Sequence, residues 1–258
     1  MSSDRESSKP ILLLDVGNTN LKWCWLEHGA LSPIEHATHR DFGVSSIGER
    51  NWRSEKSPGR ILVSNVMGAE MERSLSEWTV KAWGVRPEFV RCVKKAGGVT
   101  NAYTDPAQLG VDRWLTLIAV FNQKGRAACV VDSGTATTID VIDKNGVHLG
   151  GMILPGLDLM RESLLARTRI PRVDAGDTGL LLAKDTATAV ASAGINATAA
   201  LVERAIRQVR ERLGGEPRLI LTGSSAGRIA SALHEPHEVE PELIMIGLAV
   251  LAEEAGSR

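Results

Sequence analysis

Three short stretches hold side chains whose types and spacing suit phosphate chemistry. In LLLDVGNTNLKW (residues 12–23) an aliphatic run ends on Asp15, and Gly17, Asn18, Thr19 and Asn20 then turn the chain. A glycine-bearing turn at a strand end exposes backbone N–H groups, and small hydroxyl and amide side chains add donors, so a phosphate fits there. Asp15 alone would repel it, but a Mg²⁺ ion held directly or through water bridges the two anions. DSGTATTID (132–140) repeats the pattern in the second half of the chain. There Asp132 suits a cation and Thr135 a phosphate-side donor, while the β-branched Thr137 and Thr138 read as strand residues. In GVDRW (110–114) Asp112 sits just before an apolar helix. An aspartate at that place is anionic and a weak base, which is no obstacle where phosphoryl transfer asks only that a hydroxyl be oriented. Arg113 beside it can stabilise an anionic group of an acceptor or pair at the surface.

Each motif alone also has a purely structural reading. Asp15 can cap a turn with Asn18 left-handed, and Asp112 can cap a helix. Duplication favours function, because two strand-ending aspartates, one in each half, can hold a phosphate chain from both sides of a cleft. Neither a Walker A sequence nor GxGxxG is present, so the familiar nucleotide loops do not compete.

The elements that must position these groups alternate β and α. Residues 10–14 and LKWCWLE read as strands, with HG at 28–29 turning into a third around Ala30–Pro33. Residues 38–60 lack a period and read as an exposed helix and loop. ILVSNV (61–66) is a strand, 67–84 a helix stopped by glycine, and PEFVRCV (87–93) a further strand. Residues 96–114 are a loop feeding a helix, and from 127 the opening pattern recurs, with NG at 145–146 as its turn. Pro155 is expected to open a helix, 186–213 to form a long helix rich in small residues at its start, and 241–255 to close the chain as another. These readings predict an α/β fold of two related halves, residues 1–122 (with 1–9 disordered) and 123–258.

Composition bounds the partners. The 30 basic and 31 acidic residues balance, so no global field attracts nucleic acid or an anionic membrane. No apolar run approaches a membrane span. The 3 cysteines form no CxxC pair, which argues against a disulfide framework or zinc site and for a reducing cytoplasm. The single tyrosine, Tyr103, reads by spacing as a loop aromatic packed on the core.

In order, DVGNTNLK, NAYTDPAQLGVDRW, DSGTATTID, GGMILPG, KDT and LTG resemble the type III pantothenate kinases over nearly the whole chain. That family belongs with actin, hexokinase and the acetate and sugar kinases. The resemblance implies two duplicated ribonuclease-H-like domains, with mixed sheets flanked by helices and a nucleotide cleft between them. It implies ATP-dependent phosphorylation of pantothenate to 4′-phosphopantothenate, the first step of coenzyme A biosynthesis. It also implies a homodimer formed through the C-terminal half and needing Mg²⁺ and a monovalent cation, K⁺ or NH₄⁺. By motif, Asp15, Val16, Gly17, Asn18, Thr19, Asn20, Leu21 and Lys22 resemble the phosphate-binding stretch, with Asp15 near Mg²⁺, and Thr135 resembles an ATP contact. Asp112 resembles the catalytic base; Tyr103, Gly110, Val111 and Arg113 resemble pantothenate-binding positions. Asp132 resembles the monovalent-cation ligand, and Thr186 a substrate contact reaching the neighbouring subunit's site. The family's fuller Gly-Gly-acid pattern after the late strand is replaced by TGSSA (222–226), so no adenine-side contact is carried over. Two other readings stand beside this one: a kinase of the same fold acting on a sugar or short carboxylate, and a non-catalytic nucleotide-binding regulatory or accessory protein.

Overall fold

Alternation along ILLLDV sends Leu12, Leu14 and Val16 to one face of a strand and Leu13 and Asp15 to the other. A computed structural model of the chain describes residues 9–38, 43–52, 56–172, 176 and 180–256. The early elements are β1 (Ile11–Val16), β2 (Asn20–Glu27), β3 (Ala30–Leu31), β4 (Glu35–Thr38), α1 (Val44–Asn51), β5 (Arg60–Asn65), α2 (Ala69–Trp83) and β6 (Glu88–Phe89). Short strands β7 (Lys95–Ala96) and β8 (Val99–Thr100) flank two glycines, and α3 (Val111–Lys124) follows. Then come β9 (Ala128–Ser133), β10 (Ala136–Ile142), β11 (His148–Pro155), α4 (Leu157–Ala166) and α5 (Thr186–Leu213). The chain closes with β12 (Arg218–Thr222), α6 (Ala226–Ala230), β13 (Glu238–Val239) and α7 (Leu243–Gly256).

Two sheets share one topology. The first runs β3-β2-β1-β5-β6, with β4 also on β2, and the second β11-β10-β9-β12-β13. In each, the leading strand pairs antiparallel with its hairpin partner and parallel with a later strand. The duplication seen in the sequence is therefore a duplication of mixed sheets flanked by helices. The β2–β3 hairpin turns at His28 and Gly29, with φ of 52° and 78°, the paired left-handed geometry that suits the twist of the flanking strands.

The first face of β1 builds the main core of its sheet. Leu12, Leu14 and Val16 pair with Trp25, Trp23 and Leu21, and pack with Ile47, Trp52, Ile61, Val63, Leu75 and Trp78. Trp23, Trp52, Trp78 and Trp83 meet edge to face in series at 5.8, 5.4 and 5.0 Å. Truncating a fully buried member such as Leu14 to alanine costs about 2–5 kcal/mol. The segment 38–60 thus contributes Ile47 and Trp52 to this core; residues 39–42 and 53–55, like 1–8, lie outside the described residues. The opposite face packs Leu13, Cys24, Leu26 and Leu62 on Leu115 of α3 and on Met245, Leu248 and Ala252 of α7.

Two compact units result: Met1–Gly97 with Asp105–Ala119 and Ile244–Arg258, and Gly98–Thr104 with Val120–Leu243. This division differs from a single cut at 122/123 for two physical reasons. Helix α7 returns to the first sheet, approaching α3 so closely that a Cβ on Gly247 would stand 2.3 Å from Leu115 O. Thr100 N–H bonds Gly146 O at 2.8 Å, which ties residues 98–104 to the second unit. Two smaller expectations change as well. Pro155 ends β11, and α4 begins only after Gly156; of residues 87–93 only Glu88–Phe89 pair as a strand. The long helix falls at 186–213, capped by Asp185 at its start and by left-handed Gly214 at its end. Among the described residues no helix is long and apolar enough to cross a membrane.

Candidate active site

Asp15 does not end β1 but lies inside it, on the face shared with Leu13. The register sets Lys22 of β2 on one side of it and Ser64 of β5 on the other. Asp15 is only 7% exposed, and its carboxyl is pushed up to about 6 from the usual 3.8. Burial is the main cause and the Asp112 carboxylate adds to it, while Lys22 and Ser64 pull the other way. The Ser64 hydroxyl is fully buried and completes no hydrogen bond of standard geometry, though it lies near enough to favour the ionised carboxylate. A buried carboxylate with a raised pKa beside a second carboxylate is a place where a bound cation would relieve the charge.

The turn after Asp15 is tight without left-handed residues. Gly17 N–H bonds Asn20 O at 3.0 Å, and His28 is the non-glycine residue with positive φ among those described. Asn18 is therefore not left-handed. With Gly17 N–H committed to closing the turn, exposed Asn18 and Thr19 present the outward donors. Asn20 Oδ1 accepts from Thr38 Oγ1 at 3.2 Å, which holds that side chain toward β4.

Asp112 belongs to the first turn of α3, one residue inside the helix, not ahead of it. Its Oδ1 accepts from Arg113 N–H at 2.8 Å, so it serves the helix start as well. The carboxylate folds back over Gly110, where a Cβ would stand 2.5 Å from Oδ1. Glycine at 110 is thus required by the position of Asp112. Arg113 is 4% exposed, which removes the reading of a surface ion pair. Half-buried Cys92 lies close by, its thiol raised to about 12 by burial and by Asp112, with Arg113 opposing. The first unit therefore brings together Asp15, Lys22, Asp112 and Arg113.

In the second unit Asp132 stands opposite Thr138 on β10 and Thr222 on β12. Two glycines let loops close on this turn. A Cβ on Gly223, whose φ is 89°, would lie 2.4 Å from both Asp132 Oδ1 and Ser133 O, and one on Gly156 would lie 2.1 Å from Gly134 O. Gly156 N–H also bonds Thr135 O at 2.9 Å, and Ser133 Oγ pairs with Thr137 Oγ1 at 2.9 Å beneath it. Thr137 and Thr138 are strand residues of β10, as their branching suggested. The donors around Asp132 are oxygens, the type a hard cation takes. Among the described residues no three His, Cys, Asp or Glu side chains converge as a metal cluster.

Tyr103 also belongs to the second unit, half-buried, its ring stacked on His148 with centroids 6.1 Å apart and planes at 15°. Thr186 is the first residue of α5 and is exposed.

The family model for type III pantothenate kinase matches residues 11–208. A type III pantothenate kinase of Nitrosococcus oceani is 34% identical over 250 residues, covering 95% of this chain and 94% of that one. One of Aromatoleum aromaticum is 36% identical over 252 residues, covering 95% and 98%. The chain belongs to the type III pantothenate kinases. Solved structures resemble it in fold. A Campylobacter jejuni protein described as a Baf family transcriptional activator superposes with a TM-score of 0.60 at 20% identity, covering 96% of this chain and 100% of that one. Component A of the (R)-2-hydroxyglutaryl-CoA dehydratase of Acidaminococcus fermentans gives 0.53 at 16%, covering 97% and 100%. In this type III pantothenate kinase the structure adds Ser64, Gly156 and Gly223 to the two turns, together with His148 beneath Tyr103. Ser64 left one trace in the sequence, a polar residue late in the strand ILVSNV. Gly156 and Gly223 close the motifs GGMILPG and LTG, which mark the family but not the contacts these glycines allow, and His148 left no trace, since it acts on residues distant along the chain.

Proposed function

We propose that this chain transfers the γ-phosphoryl group of ATP to the 4′-hydroxyl of pantothenate, the entry step of coenzyme A biosynthesis. Family membership carries the reaction class and substrate. The observation that carries the mechanism is that Asp112, at the start of α3, lies close enough to buried Asp15 of β1 for its carboxylate to help raise the Asp15 pKa.

Asp112 receives the proton of the attacking hydroxyl. Weak basicity suffices, because a loose phosphoryl-transfer transition state draws the proton late and asks mainly for orientation. Gly110 leaves the carboxylate room, and Arg113 offsets its charge or that of the acceptor. The outward donors of Asn18 and Thr19, with Lys22 behind them, suit phosphate oxygens. Asp15 fits Mg²⁺ held directly or through a water, since its burial and its neighbour disfavour the bare carboxylate. When bound, that ion supplies charge neutralisation on the phosphates. Asp132, with oxygen neighbours and a single carboxylate, fits the monovalent cation, and Thr135 an ATP contact. Tyr103, Gly110, Val111 and Arg113 are assigned to pantothenate. A homodimer through the C-terminal half is supported by exposed Ile153, Leu180, Leu181 and Leu182, 64, 58, 75 and 84% accessible, and by the small residues that open α5 beside Thr186.

The test is ADP release from Mg·ATP with pantothenate, acetate, glycerol or hexoses as acceptor, with and without K⁺. Turnover with pantothenate alone, raised by K⁺, is expected. Folded, dimeric protein that gives no more ADP with pantothenate than without an acceptor would falsify the reading.

A further inference from the structure

Asp140 and His148, 2% and 1% exposed, form a polar pair that the proposed reaction does not use. His148 Nε2 and Asp140 Oδ1 are 3.0 Å apart, joining the start of β11 to β10. A carboxylate only accepts, so Nε2 carries the proton and Nδ1 is left as an acceptor. That acceptor is used: Ala102 N–H points to Nδ1 at 3.5 Å. The next residue, Tyr103, lies flat on the imidazole, within the range of about 4.5–7 Å usual for offset stacking. Tyr103 N–H is in turn held by Asn101 Oδ1 at 2.9 Å, and Asn101 is 1% exposed.

A buried charged or polar pair is weak support for stability, since an apolar pair of similar volume often does as well. What such a pair supplies is orientation. Here Asp140 fixes the ring of His148, and the ring has two outlets, the Ala102 N–H and the face of Tyr103. Both lie in the segment 101–103, which has no regular secondary structure of its own. Thr100, one residue upstream, donates its N–H to Gly146 O and so anchors the start of the segment. The oriented imidazole is the flat surface on which the tyrosine ring rests.

We propose that His148, oriented by Asp140, is a positioning residue that sets the Tyr103 ring as a wall of the pantothenate site, so that the pair governs recognition of pantothenate and not of ATP. This rests on the proposed function for the ligand but not for the geometry. His148 touches no reacting atom in this account.

Tyr103 is the only tyrosine, so full-length protein grown with 3-fluorotyrosine carries one ¹⁹F resonance. In His148→Ala that resonance moves, and titration with pantothenate moves it in wild type. The same variant raises KM for pantothenate about tenfold while kcat and KM for ATP stay within about twofold, the signature of lost uniform binding to one substrate. Asp140→Asn, with His148 intact, keeps an oxygen acceptor for Nε2–H and leaves KM for pantothenate within about twofold of wild type. In a Tyr103→Ala background, His148→Ala adds nothing further. Where His148→Ala does not fold, His148→Gln carries the same measurements. The inference is overturned if the resonance is unmoved in folded variant, if both KM values rise together, or if the two substitutions are additive. Wild-type protein without pantothenate turnover but with a displaced resonance in His148→Ala would sink the substrate assignment and leave the ring geometry standing.

Discussion

Asp15 and Asp132 occupy corresponding places in two sheets of the same topology, yet their neighbours differ in kind. Across the strands Asp15 meets Lys22 and Ser64, with the Asp112 carboxylate within electrostatic reach; Asp132 meets Thr138 and Thr222. The first turn is made by Gly17, Asn18 and Thr19 and presents its donors outward. The second is shorter, Gly134 and Thr135, and is closed on by Gly156 and Gly223. One scaffold used twice has thus produced an ionisable cluster in one copy and a snug, hydroxyl-lined turn in the other. Fold duplication supplies the place, and the strand neighbours decide the chemistry.

The largest expected contrast is functional. Asp15→Ala lowers kcat/KM for Mg·ATP by about 100-fold or more, as loss of a group organising metal and phosphate does. Asp132→Ala instead raises the K⁺ concentration needed for activity and leaves the Mg²⁺ dependence near wild type. Steady-state kinetics with each cation varied separates the two, and equal losses in the same parameter would remove the contrast.

The tightness of the second turn is next. Gly223→Ala places a Cβ against backbone and imposes a side chain at φ 89°, with a cost of about 2–4 kcal/mol in urea unfolding. Gly110→Ala meets only the movable end of Asp112, so it costs little stability and lowers kcat by displacing the carboxylate.

Asp15 should also cost the protein stability. Its folded pKa, about 6, is above the ordinary 3.8, so between those values the folded chain holds a proton that the unfolded chain has released. Stability of metal-free protein therefore falls as pH rises from about 4 to about 6 and is flat above. Asp15→Asn removes the penalty and gains about 3 kcal/mol at pH 7, an advantage that disappears below pH about 4. Parallel unfolding curves of variant and wild type at pH 4 and pH 7 read this directly. The smallest effect is on activity with pH: kcat/KM for ATP, which reports the free enzyme, declines below pH about 6 by up to tenfold per pH unit. Asp132→Ala should leave that profile in place.

Much of this was legible in the chain because it is local. Period-two alternation through ILLLDV marks β1 and its two faces, glycines at 84 and 214 stop their helices, and His28-Gly29 marks its hairpin. The recurrence of Asp-x-Gly in the second half predicts a second sheet of the same kind. What escaped depends on residues far apart in sequence. Helix α7 reads as a closing apolar helix, but nothing in LIMIGLAVLAEEA says that it returns to β1 and β5. Ser64, His148 and Asp140 matter through cross-strand neighbours, and Trp52 enters the core from a segment without periodicity. Asp112 reads as a cap ahead of a helix; only the fold shows it one residue inside, bent over Gly110 and opposed to Asp15.

If Asp112 takes the hydroxyl proton while Asp15 manages the phosphates, a single variant separates the two roles. Single-turnover formation of phosphopantothenate by Asp112→Asn, with Mg·ATP binding measured on the same sample, should show transfer slowed by about 10²–10⁴-fold with ATP affinity unchanged. Transfer at the wild-type rate in that folded variant would return Asp112 to the role of a helix-start residue and contradict the account.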